Sequence, residues 1–94
     1  MAESQMLECE QKKLFLVNGQ RELRWMVVPV AQLTGVSSKQ IRCKHCHGAV
    51  RVHKQQVPNG PQDHVEHLSR QDSEHCRGGA YFQGTHRMSL QPVD

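Results

Sequence analysis

Apolar positions along the chain fall first into two runs separated by a turn. Leu14, Phe15, Leu16 and Val17 end at Asn18-Gly19, and Leu23, Trp25, Met26, Val27 and Val28 follow. Asn-Gly between two such runs is the composition of a two-residue hairpin loop, whose central residues need left-handed backbone. The pattern predicts a β-hairpin of about 13–17 and 22–30, with Pro29 marking a strand end because it has no N–H to donate. Ala31 to Ser38 reads as a connection with a turn at Gly35, and Gln40 to Cys43 as a short strand. Val50 and Val52 then alternate with Arg51 and His53, which predicts a half-buried strand with a basic outer face. Val57-Pro58-Asn59-Gly60-Pro61 is a turn by composition. Asp63 to Leu68 returns as a strand with Val65 and His67 on the buried face and His64 and Glu66 on the outer one. Ser69 with Asp72 three residues later has the form of a helix N-cap, so Arg70 to Cys76 forms a turn or two of helix, ended by Gly78-Gly79. Tyr81-Phe82 is the last apolar anchor. The expected fold is small α+β, mostly β, with hairpins of zinc-ribbon or treble-clef-like form and one short helix. A single domain over 11–88 is expected, between a mobile segment 1–10 and a loose tail 89–94.

Composition makes that fold hard to stabilise by burial alone. Of 94 residues only 36% are hydrophobic, and the aromatic ones are Phe15, Trp25, Tyr81 and Phe82. A core of so few large side chains works against a backbone ordering cost of roughly 1–2 kcal/mol per residue, and small domains in this position use a metal or a disulfide. Residues 1–10 lack the basic start and apolar run of a secretory signal, and no stretch approaches the roughly 20 apolar residues of a membrane span. A cytoplasmic protein is expected, in which a Cys-x-x-Cys pair reads as metal chemistry before disulfide chemistry. Cys43 and Cys46 flank Lys44-His45, and a tight turn there aims both sulfurs at one point, with Gly48 supplying an unusual dihedral as the chain leaves it. Zinc needs two more ligands. The softer thiolate of Cys76 is one, and His67, on the buried strand face with Val65, is the other; His64 and His75 are the alternatives for the imidazole. His64 should point outward or support a ligand, and Cys9 should be a free thiol in the mobile segment.

Cys43, Cys46, His64-Val65-Glu66-His67 and Cys76 together resemble the zinc modules of bacterial proteins that combine a Cys-x-x-Cys pair, a hairpin, a His-hydrophobic-x-His segment and a later Cys. The competence-protein CoiA-like group is the family named by this likeness, over about a third of the chain, with Val65 where that group has an aromatic residue. The resemblance implies a zinc module and carries no activity across. Locally, Cys-x-x-Cys before Asp63-His64-Val65 is also similar to HNH endonucleases, which would make His64 a general base and His86 a late metal ligand.

Charge suggests a partner. The net charge is only +3, yet residues 23–62 contain no acid while Arg24, Lys39, Arg42, Lys44, Arg51 and Lys54 fall inside. Arg42, Lys44, Arg51, His53 and Lys54 are therefore the candidate phosphate contacts of a nucleic-acid-binding hairpin, a chemistry that positions without reading sequence. The alternative is a protein-interaction or structural zinc adaptor, with Trp25, Met26 and Val28 either in the core or on a partner-facing strand edge. No catalytic residue is assigned, apart from the HNH-like alternative.

Overall fold

The computed structural model describes residues 6–33, 37–54, 58 and 63–94. Its first element is the expected hairpin, with both strands starting earlier than predicted: β1 spans Glu8–Val17 and β2 spans Gln20–Pro29. Asn18 and Gly19 join them with φ of 52° and 80°, the left-handed pair that a loop matched to the right-handed strand twist requires. Two single turns of 3-10 helix follow, at Val30–Gln32 and Ser38–Gln40. Next come β3 (Ile41–Arg42), β4 (Val50–His53), β5 (His64–His67) and the six-residue helix α1 (Arg70–His75). Ser69 caps α1 as read from the sequence, its hydroxyl accepting from the Asp72 amide. The predicted turns at Gly35 and around residues 57–61 lie outside the described residues, Pro58 excepted.

The strands form two small antiparallel sheets, β2-β1-β3 and β4-β5. β3 pairs with β1 only at Glu10 and Gln11, so from Lys13 to the turn the hairpin is a two-stranded arm projecting from the body. At its base, Cys9 and Val28 face inward and join Val30, Leu33, Ile41, Val50, Val65, Met6 and the remaining three cysteines in one buried core. The arm itself is poorly covered: Leu14, Leu16 and Leu23 are 58%, 74% and 62% exposed. Among the described residues, no helix is long and apolar enough to cross a membrane.

Two terminal segments depart from expectation. Residues 6–10, placed within a mobile segment by the sequence, belong to the fold. Met6 is buried and bridges to Val65, and the Leu7 carbonyl accepts from Val30. Residues 89–94, expected to be loose, run beside the Cys-x-x-Cys turn. The Ser89 amide donates to the Cys46 carbonyl and the Val93 amide to that of His47, at 2.9 and 2.8 Å. The apolar pattern could not announce this, because the tail is held through its backbone.

Candidate metal centre

The Cys43–Gly48 segment is a tight turn whose amides close around sulfur. The Cys43 amide bonds to the Gly48 carbonyl and the His47 amide to that of Cys43, both at 2.9 Å. This leaves the His45 amide 3.3 Å from Cys43 Sγ and the Gly48 amide 3.4 Å from Cys46 Sγ. The Gly78 amide approaches Cys76 Sγ in the same way, at 3.4 Å, two residues after its cysteine. Such N–H donors stabilise the thiolate, the form that binds a metal. The left-handed residue that lets the chain leave the turn is His47, with φ of 66°; Gly48, expected in that role, instead leaves room for the Asp72 side chain. A Cβ on Gly48 would collide with the Asp72 carboxylate, which α1 brings against the turn.

β5 and α1 deliver the other two donors. In the β4–β5 ladder Val50 pairs with His67 and Val52 with Val65, and this face turns toward the turn sulfurs. Ligand atoms of Cys43, Cys46, His67 and Cys76 all lie within 4.8 Å of one another. Cys43 Sγ is 3.6 Å from Cys76 Sγ, and Cys46 Sγ is 3.5 Å from His67 Nε2. A tetrahedral ion with bonds of about 2.3 Å to sulfur and 2.0–2.1 Å to nitrogen sets edges of about 3.8 and 3.5 Å, which these two separations match. All three sulfurs are fully buried. The structure keeps His64 and His75 out of this cluster.

Hydrogen bonds couple the four donors. Hydrogen bonds from the Cys46 and Cys76 thiols hold Cys43 far below the usual thiol range, while Cys46 is pushed far above it, first by its bond to Cys43. Burial works against charge on His67, but hydrogen bonding to Cys43 and Cys76 outweighs it and raises the imidazole to about 9. Charge is thus favoured on Cys43 and His67 among buried sulfurs, an arrangement that a bound cation would replace. Cys9 lies outside the donor set, buried in the adjoining core and raised to about 11 by burial, then by the charges of Cys43 and Glu10.

The opposite face of β4–β5 carries His53, His64 and Glu66, a second donor group within 4.8 Å. His64, expected to face solvent, is 7% exposed. Its ring stacks on His53 at 5.1 Å between centroids, and its Nε2 lies 2.9 Å from Glu66. Hydrogen bonding to His64 holds Glu66 below the usual carboxylate range. The two rings are within 9° of parallel; a shared ion must lie in both ring planes, so this pair is arranged for stacking rather than ligation. His86, the late ligand implied by the HNH likeness, is elsewhere, accepting from the Arg77 amide.

The candidate phosphate contacts are dispersed and mostly occupied. Arg42 lies over the Trp25 ring at 4.1 Å and binds Glu10 at 2.5 Å and the Val93 carbonyl. Lys44 pairs with Glu8 at 2.6 Å, and Lys54 with the Leu33 carbonyl and Asp63. Arg51 is exposed on β4 and donates to His53. The fold has brought acids from outside the segment to the cations inside it, a redistribution that sequence spacing does not reveal.

A family model of uncharacterised proteins matches residues 1–94. An uncharacterized protein of Azorhizobium caulinodans is 38% identical over 61 residues, covering 64% of this chain and 71% of that protein. No solved structure matches.

Proposed function

The chain belongs to this uncharacterised family, and we propose from the site itself that it is a zinc-stabilised interaction domain, with one structural zinc on Cys43, Cys46, His67 and Cys76. The carrying observation is closure. Four donors within 4.8 Å of one another, three of them fully buried, can fill a tetrahedral ion's coordination without a position for substrate or water, which is the form of a structural rather than a catalytic zinc site. Three soft thiolates with an imidazole select zinc over the hard ions that prefer oxygen. The likeness to the CoiA-like zinc modules supports the same reading.

The contact element is the β1–β2 arm. Leu14, Leu16 and Leu23 share one face of it and stay exposed, and exposed apolar patches on a small domain mark interaction surfaces. Nucleic-acid contact is the second reading, favoured by the exposed guanidinium of Arg51 and weakened by the internal pairing of Arg42, Lys44 and Lys54. Metal analysis of the purified chain tests the first reading. One zinc per chain is expected, lost in His67→Ala and Cys76→Ser and retained in Cys9→Ser. Cobalt substitution should give the strong thiolate charge-transfer bands of a three-sulfur site. A chain that folds fully without metal, or retains zinc after Cys76→Ser, would overturn it.

A further inference from the structure

Among the described residues β2 is an edge strand. Val17 and Gln20 close the two-residue loop, so the backbone groups of Gln20, Glu22, Arg24 and Met26 bond to β1. Those of Arg21, Leu23, Trp25 and Val27 point away from it. An edge of this length, with amides that no strand among the described residues pairs, is a template for another strand. Residues 20–24 are all exposed.

We infer that the partner of this edge is a second copy of the chain, its β2 docked antiparallel about a twofold axis through Leu23. This rests on the arm being the contact element of the proposed interaction domain. Charge selects the register. Centred on Leu23, the strand places Glu22 opposite Arg24 of the other copy twice over, and Arg21 opposite the Trp25 ring. Only outward amides are used, in about six interchain hydrogen bonds. A shift that centres the axis on Glu22 sets glutamate against glutamate, and one centred on Arg24 sets arginine against arginine; like charges directly opposite destabilise a sheet pair. Within one copy Glu22 and Arg24 already meet at 2.6 Å, so docking completes a four-charge cluster on one face. On the other face Leu23 meets its own copy, flanked by Leu14, its cross-strand neighbour. An interface with the same patch on both partners is the form that closed dimers take.

Sedimentation velocity of the zinc-loaded full chain, from micromolar to millimolar, reads the association. A concentration-dependent dimer is expected. Glu22→Arg and Arg24→Glu should each weaken it about tenfold or more, because each sets two like charges opposite. Mixing these two variants should restore a heterodimer, since the arginine introduced in one copy then faces the glutamate introduced in the other. Leu23→Lys should leave monomers. A wild type that stays monomeric at millimolar concentration, or a dimer indifferent to charge reversal and mixing, would overturn the inference. Zinc content measured on the same samples reports the metal reading separately.

Discussion

Cys9 shows how one buried group ties stability to pH. Its thiol is raised from 9.0 to about 11, so the folded chain keeps a proton that the unfolded chain releases above pH 9. Its contribution is complete below pH 9 and lost as pH rises toward 11. At 1.4 kcal/mol per unit the loss is about 2–3 kcal/mol. Urea midpoints of the zinc-loaded chain measured from pH 8 to 11 should fall along this slope, and Cys9→Ala should flatten it while adding a pH-independent cavity penalty. The sequence marked Cys9 as a free thiol but placed it in a mobile segment, because its neighbours Glu8 and Glu10 are polar. Those acids are structural, pairing with Lys44 and Arg42 across the sheet. The turn at the metal centre carries a similar lesson. A glycine next to a Cys-x-x-Cys pair suggests positive φ, yet His47 takes that conformation and Gly48 makes room for a helix 24 residues away in sequence, a contact no local pattern contains.

At the scale of elements, what was legible had a local cause. Asn18-Gly19 dictates its turn, Ser69 its helix start, and the alternation of Val50, Val52 and Val65 two strand faces, including the face that carries His67. Boundaries were less legible: β1 begins at Glu8 because β2 pairs with it as far as Pro29 and Cys9 beside it is buried in the core, not because of its own residues. The tail 89–94 was missed for the same reason. Its backbone clasps the Cys43–Gly48 turn, and the Val93 carbonyl accepts from Arg42 at 2.9 Å. Ending the chain after Met88 should therefore leave the four donors intact but loosen the turn that aims two of them. Zinc transfer to a chromophoric chelator should speed up several-fold while the zinc stoichiometry at equilibrium stays at one. An unchanged transfer rate would mean that the clasp contributes nothing to the site.

For the whole molecule, the proposed metal site and the core are one structure, since Cys43, Cys46 and Cys76 are core residues as well as candidate donors. Removing zinc should then collapse the dispersed NMR spectrum of the body, because metal affinity in such domains is folding free energy. Nucleic-acid binding, if present, should weaken with salt at a log–log slope of about −0.9 per phosphate contacted on duplex DNA. Arg51→Glu should remove most of it without changing zinc content, and fluorescence anisotropy across a salt series measures both. The spacing of the donors along the chain also sets an order of events in folding. Cys43 and Cys46 can grip an ion within one local turn, whereas His67 lies 21 residues beyond Cys46 and Cys76 lies 33 beyond Cys43, so the early complex must wait for those loops to close. With zinc in excess, a second ion can occupy His67 and Cys76 before closure, and the chain must shed it to reach the native arrangement. Refolding should be fastest near one equivalent of zinc and slow as more is added.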